Sequence, residues 1–330
     1  MKIASFNVRK FGRKKASDPN IIRILAKIVS RYDIILILEV VDISGSSIKI
    51  LVDAINKANR KHHYTLQISS PLGRSRYKEQ FMFLYRDDLM NLIGTYQFDD
   101  QKTLNEDAFS RDPYILRFKC PTTELQDLVL IPVHTTPTES DNELDKLYDV
   151  FMDVKKKWKT DNIMILGDFN ADGAYVSKKD MKKIRIRSDT NFHWLISDDE
   201  DTTASNKNDH TYDRIVVYGD DMLQAIVPKS AKPFNFQKAY GLSDELALDV
   251  SDHYPVEVAL KSKTPDDEEE DEEDGGLDEA ELLHALVPAL SGPVDDEVKE
   301  LQKGNLLLER EKLNLEIQLL KIKMEKYKGL

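Results

Sequence analysis

The sequence predicts an α/β fold, a sandwich of two sheets and flanking helices in preference to a single parallel wound sheet. Strand-like apolar runs alternate with amphipathic helical patterns from the first residues to about 262. Several neighbouring strand-like runs are spaced as hairpins, which an all-parallel sheet lacks. A 41% hydrophobic share of 330 residues is ample for a large core.

Residues 2–8 are expected to open the fold as a strand, followed by an amphipathic helix over 19–31. Residues 33–40 form an almost unbroken apolar run, the mark of a strand buried on both faces. A helix is expected around 47–60, strands near 64–69, 80–85, 114–118 and 127–134, and a helix across 142–157. Further strands fit 163–166, 211–218, 224–227 and 255–260. Residues 266–274 are nine consecutive acids ahead of Gly275-Gly276, a run that repels itself and is expected to be disordered. Residues 277–290 carry a short apolar pattern broken by Pro288, and Ser291-Gly292-Pro293 is a breaker. Helix formers dominate 295–328, with acids near the start and lysines at the end, as the helix dipole favours. Apolar residues fall there in two stripes, so a coiled coil or small bundle is expected. The organisation is therefore a domain over 1–262, an acidic linker over 263–276 and a helical tail over 277–330. Residues 295–328 are the expected contact for an oligomer or a protein partner. The acidic run is read first as a spacer, ahead of an autoinhibitory segment occupying a nucleic-acid groove.

The net charge of -12 belongs to that tail. Residues 266–330 hold 20 acidic and 8 basic side chains, which leaves 39 of each in residues 1–265. The basic clusters Arg9-Lys10, Arg13-Lys14-Lys15, Lys155-Lys156-Lys157 and 178–187 are read first as solvated surface, with DNA contact or nuclear import as the alternative. A single cysteine, Cys120, forms no intramolecular disulfide, and no charged-then-apolar leader precedes the first strand. Both favour a reducing compartment, cytoplasm or nucleus, while a secreted mature form stays open. No apolar run approaches the roughly 20 residues of a spanning helix, so no membrane association is expected.

The chemistry is carried by polar residues at strand ends. Gly167-Asp168-Phe169-Asn170 follows the apolar run 163–166, and Ser251-Asp252-His253 leads into 254–258. Asn7 lies near the end of the first strand, Glu39 closes the run 34–38, and His134 ends 129–133. Hydrolysing a phosphodiester calls for a divalent metal to neutralise developing charge, a base for water and an acid for the leaving oxygen. Asn7, Glu39, Asp168, Asn170 and Asp252 are the oxygen ligands Mg²⁺ prefers, and two histidines at strand ends suit an acid/base pair when each is oriented by a carboxylate. Singly, Asp-Phe-Asn reads as a turn and Ser-Asp-His as a strand lead-in. Glu39 resists the bland reading, because a carboxylate closing a buried strand must be paired, ligated or at a sheet edge.

Taken together, Asn7, Glu39, Arg74-Ser75-Arg76-Tyr77-Lys78-Glu79-Gln80, Phe109-Ser110-Arg111-Asp112-Pro113, His134-Thr135-Thr136-Pro137, Gly-Asp-Phe-Asn-Ala-Asp, Tyr212-Asp213-Arg214 and Ser-Asp-His-Tyr-Pro-Val resemble the deoxyribonuclease I family. The resemblance runs in order over about residues 1–262. It implies a four-layered α/β sandwich with the site at one rim of the two sheets. It implies two catalytic dyads, Glu79 orienting His134 and Asp213 orienting His253, with Asn7, Glu39, Asp168, Asn170 and Asp252 around metal and phosphate. Tyr77 and Arg111 match DNA-contacting positions, at the minor groove and near the phosphate respectively. The implied reaction is endonucleolytic hydrolysis of double-stranded DNA, with Mg²⁺ or Mn²⁺, low sequence selectivity and 5'-phosphate products. Structural Ca²⁺ is implied at Asp99, Asp107, the Phe109 carbonyl and Asp112, and at Asp201 and Thr203. Another phosphoesterase of the same superfamily, or an idle nuclease-like module with an interaction tail, are the alternatives.

Some positions depart from the family. Gly173 and His210 stand where secreted relatives carry a disulfide, and Gln101 and Leu104 replace a smaller bridge. Val41 replaces a DNA-contacting arginine. Tyr114 and the 64–69 strand differ from the type member's actin-binding surface, which argues against actin as a partner.

Overall fold

In a computed structural model of the full chain, residues 1–205 and 209–263 are described. The acidic run, the linker boundary at 276 and the helical tail expected over 277–330 lie outside the described residues. The strands are β1 (Lys2–Phe11), β2 (Ile34–Val40), β3 (Tyr64–Ile68), β4 (Gln80–Arg86), β5 (Asn91–Gln97), β6 (Tyr114–Lys119), β7 (Asp127–His134), β8 (Ile163–Asp168), β9 (Phe192–Trp194), β10 (Asp213–Tyr218), β11 (Lys232–Pro233) and β12 (Val256–Ala259). They make two six-stranded sheets, ordered β11-β12-β1-β2-β4-β3 and β5-β6-β7-β8-β10-β9. Both are mixed: β1 with β2 and β7 with β8 are parallel, and the remaining pairs are antiparallel.

The two-residue period of the strands builds the layers. Along β2, Ile34, Leu36 and Leu38 face a central core that also receives Leu128 and Leu130 of β7, Leu166 of β8 and Val256 and Val258 of β12. The intervening Ile35 and Ile37 face outward onto the helices Pro19–Val29 and Ser46–Ala58. On the far side, Val129, Ile131 and Val133 pack against the helix Ser140–Trp158. Helices, sheet, sheet and helices give the four layers the motif resemblance implied.

Strongly apolar segments match their expected elements to within a few residues. The strand expected at 224–227 is instead the last residue of the helix Gly219–Gln224 and the turn that follows it, with only Ile226 forming an isolated bridge to Leu260. Asp220 and Asp221 in the first turn of that helix complement its dipole. Strand β5 had no expectation because it lies at a sheet edge, and its side chains alternate between exposed and half-buried instead of forming an apolar run.

Candidate active site

Strand order and register bring the polar strand ends together. His134 pairs with Asp168 across β7 and β8, and Asp168 with Asp213 across β8 and β10, so three of the expected site side chains form one row. Gly167 precedes that row at φ 148°, and a Cβ there would lie 1.9 Å from the Val133 carbonyl oxygen, so the backbone contact admits only glycine.

The first sheet supplies the opposite wall. Ladder pairing between β1 and β2 breaks after Asn7↔Leu38, and Arg9, Lys10 and Glu39 all take left-handed backbone, φ 49°, 55° and 57°. This turn points Glu39 at its neighbours: one carboxylate oxygen accepts from Asn7 Nδ2 at 3.0 Å and the other from the Lys10 N–H at 3.0 Å. Asn7 Nδ2 also donates to Asp168 at 3.1 Å, while its Oδ1 accepts from the Arg9 N–H at 2.9 Å. Glu39, half-buried, thus sits mid-sheet and paired, as a carboxylate ending a buried strand must be.

Each histidine is held by one carboxylate. His134 Nδ1 lies 2.8 Å from Glu79 and His253 Nδ1 2.7 Å from Asp213, and both Nε2 atoms lie 3.8 Å from the same Asp168 oxygen. Burial alone would lower the His253 pKa, but Asp213 and then Asp168 outweigh it and push the imidazole up to about 10. Burial pushes Asp213 up to about 6, against the attraction of His253. The raised imidazole favours the ion pair and the raised carboxyl opposes it. Burial also acts to raise Glu79, but the His134 hydrogen bond and charge, with Arg111, hold it below the usual carboxylate range. Arg111 Nε is 3.4 Å from Glu79.

Asn170 lies beside Asp168, its N–H on one Asp168 oxygen at 3.0 Å and its Nδ2 on the Thr135 carbonyl. Asp252 is half-exposed with Arg9 Nη1 at 3.4 Å. Tyr77 is 44% exposed. Asp168, Asp213 and His253 are the one trio of histidine and acidic side chains, among the described residues, whose ligand atoms all come within 4.8 Å. One Asp213 oxygen is buried there without a hydrogen-bond partner. With Asn7, Glu39 and Asp252 adjoining, the donor set is rich in oxygen and fits a hard divalent cation.

The two positions expected for Ca²⁺ differ. Asp112 has a buried oxygen without a partner, and burial together with Asp100, Asp99 and Asp107 pushes its pKa up to about 7. Buried Asp100, which the motifs did not single out, accepts the Phe109 N–H at 2.7 Å. Asp99 meanwhile caps a short helix and Asp107 pairs with Arg74. At the second position Asp201 accepts both the N–H and the hydroxyl of Thr203, at 2.9 and 2.7 Å.

Other residues act through backbone. Ser251 donates to the Asn7 carbonyl at 2.6 Å and accepts the His253 N–H at 3.0 Å. Lys15 Nζ donates to the carbonyls of Val8 and Val250, tying the strand that carries Asn7 to the loop that carries Asp252, and burial pushes its ammonium down to about 8. No local sequence signal marks either role. Gly173 and His210 are neighbours, with a Cβ on Gly173 only 2.7 Å from the ring, and His210 faces Asp172 at 3.3 Å.

The endonuclease/exonuclease/phosphatase family model matches residues 4–253. The chain is 46% identical over 263 residues to human deoxyribonuclease gamma, covering 79% of this chain and 86% of that one. It is 45% identical over 261 residues to deoxyribonuclease-1 of Oryctolagus cuniculus, covering 79% and 92%. Among solved structures, a conserved protein of unknown function from Enterococcus faecalis matches with TM-score 0.55 at 17% identity, covering 80% of this chain and all of that one. An endonuclease/exonuclease/phosphatase family protein from Leptotrichia buccalis matches with the same TM-score and identity over 79% of this chain and 99% of that one. These distant structures speak to the fold alone, but the extended sequence identity speaks to descent: the chain belongs to the endonuclease/exonuclease/phosphatase family, on its deoxyribonuclease I-like branch.

Proposed function

We propose that the chain is a metal-dependent endonuclease that hydrolyses phosphodiester bonds of double-stranded DNA with low sequence selectivity, leaving 5'-phosphate ends. The observation that carries the proposal is the pair of oriented imidazoles, each Nδ1 held by its own carboxylate and each Nε2 3.8 Å from Asp168. Deoxyribonuclease names among relatives at about 45% identity support DNA as the substrate.

Asn7, Glu39, Asp168, Asn170 and Asp252 would hold Mg²⁺ or Mn²⁺ next to the scissile phosphate, and the ion would supply charge neutralisation at the phosphoryl oxygens. The remaining work falls to the protein. Glu79 and Asp213 fix each imidazole with Nδ1 towards its carboxylate, which leaves Nε2 to accept a proton from water or to return one to the leaving oxygen. The upward shift of the His253 imidazole beside Asp213 suits the acid role, and the two dyads can exchange roles. Arg111 offers a fork suited to a tetrahedral anion, and Tyr77 contacts the minor groove, where base information is degenerate and selectivity correspondingly low. Ca²⁺ at Asp99, Asp107, Phe109 and Asp112 would relieve the mutual repulsion of those carboxylates, and Asp201 with Thr203 is the weaker second position. The lone buried Cys120 suits a reducing compartment, cytoplasm or nucleus.

Plasmid nicking tests the proposal. Supercoiled plasmid should relax with Mg²⁺, not in EDTA, and not with His134→Ala or His253→Ala. A wild-type chain inert on plasmid but active on an inositol phosphate or phospholipid would overturn it.

A further inference from the structure

We propose that Lys10 is a DNA-groove cation, poised over Tyr77 and standing in for the arginine missing at position 41. The inference rests on the endonuclease reading and specifies how that site grips its substrate.

Tyr77 projects from the rim of the site 44% exposed, and Lys10 Nζ lies 5.9 Å from its ring centroid. A cation over an exposed aromatic face presents charge and a flat apolar surface together, the combination that enters a minor groove of strongly negative potential. Lys10 is itself exposed, and no ion-pair partner for it occurs among the described residues, so its charge is available to phosphates.

The backbone places it deliberately. Arg9 and Lys10 are consecutive side-chain-bearing residues at positive φ, 49° and 55°, a conformation uncommon even singly. The two N–H groups exposed by this turn are taken by Asn7 Oδ1 at 2.9 Å and a Glu39 oxygen at 3.0 Å. Both acceptors belong to groups proposed to face the metal, so the turn that carries Lys10 is fastened to the reaction centre. Arg9, the other cation of the turn, leans towards Asp252 at 3.4 Å and is partly neutralised. Position 41 offers no charge: Val41 packs with Cγ2 only 3.1 Å from where a Cβ on Gly12 would stand. Lys10 is the cation left beside the aromatic contact.

The test is binding of a 20-base-pair duplex by the full-length chain carrying His134→Ala, so that DNA survives the measurement, followed by fluorescence anisotropy across a salt series in Mg²⁺. Adding Lys10→Gln should make the slope of log affinity against log salt shallower by about 0.9, one phosphate contact, which is a loss of about eightfold at 0.1 M relative to 1 M salt. Val41→Arg added to Lys10→Gln should recover the slope, and Lys10→Arg should keep it. Equal thermal midpoints guard against misfolding. An unchanged slope in Lys10→Gln, with the parent still binding DNA, overturns the role of Lys10 and leaves the nuclease reading intact. Failure of the parent to bind DNA, and of the wild type to nick it, overturns both.

Discussion

Gly167→Ala is the most severe small substitution the site allows. Its added Cβ would lie 1.9 Å from the Val133 carbonyl oxygen, 2.8 Å from its carbon and 2.9 Å from its nitrogen. Restoring even a tight 3.0 Å contact requires β7 and β8 to separate by at least about 1 Å at this pair. At φ 148° the alanine is strained whatever the space. Backbone strain of about 1–3 kcal/mol and a ladder hydrogen bond or two at about 1 kcal/mol each give a loss of about 2–5 kcal/mol. The next pair along the ladder is His134↔Asp168, so the displacement falls on the reacting groups, where about 1 Å can cost about 100-fold in rate. Urea unfolding should show the stability loss, and plasmid nicking under folding conditions the rate loss. Gly219→Ala is the control. It also has positive φ, 82°, but nothing lies within 4 Å of its added Cβ, so about 1 kcal/mol and normal nicking are expected. If Gly167→Ala matches Gly219→Ala in both assays, the backbone collision is not what holds the row in place.

Three further outcomes are expected. His134→Ala and His253→Ala should each lower nicking by about 100- to 10,000-fold, and the double variant should lose far less than the product of the two, because residues acting as a unit are not additive; multiplicative losses would show independent roles. In EDTA, Asp112→Asn should stabilise the protein at pH 8: the wild-type carboxyl, raised to about 7, costs stability as pH climbs from the unfolded value through 7. The same variant should lose the thermal shift that added Ca²⁺ gives the wild type, and a retained shift would place the ion elsewhere. Glu257 is held below the usual carboxylate range, burial being outweighed by Tyr32 at 2.8 Å, Arg31 at 3.1 Å and Lys2. Its contribution is present above the unfolded pKa and disappears as pH falls through the lower folded one. Glu257→Gln should flatten acid denaturation between those values, and a parallel acid limb would refute the assignment.

Much of this architecture was legible along the chain because the buried strands are almost wholly apolar. Residues 33–40 and 127–134 carry their own signal, and Glu39 stood out because a charge cannot end such a run unmatched. Strand β5 was illegible because an edge strand needs only one packed face, and 224–227 reads as a strand because the turn residues Ala225, Ile226 and Val227 make a short apolar run with no strand beside them beyond one bridge. The polar strand ends were visible as chemistry. Their pairing was not: Glu79 and His134 are 55 residues apart, Asp213 and His253 are 40 apart, and only the motif resemblance joined them. Lys10 and Arg9 were visible as charges, but the left-handed turn that aims them depends on acceptors at Asn7 and Glu39. Ser251 and Lys15 were silent because they act on carbonyl oxygens, which any sequence possesses.

The reason the pairing escapes local reading is also the physical principle of the site. Glu79 comes from the lip of β4 and His134 from β7; His253 comes from the approach to β12 and Asp213 from β10; Asn7 comes from β1 and Asp168 from β8. Every one of these hydrogen bonds crosses from one sheet to the other, so none is fixed by the register of a single sheet. Their geometry is set by the spacing of the sheets, hence by the central core of Leu36, Leu38, Leu130, Leu166 and Val256. Gly173 and His210 lie in loops next to β8 and β10, both strands of the second sheet. A covalent link there would restrain those loops but would not set the distance between the sheets. The core can hold both His–carboxylate pairs without it, in a chain whose one cysteine is buried and free.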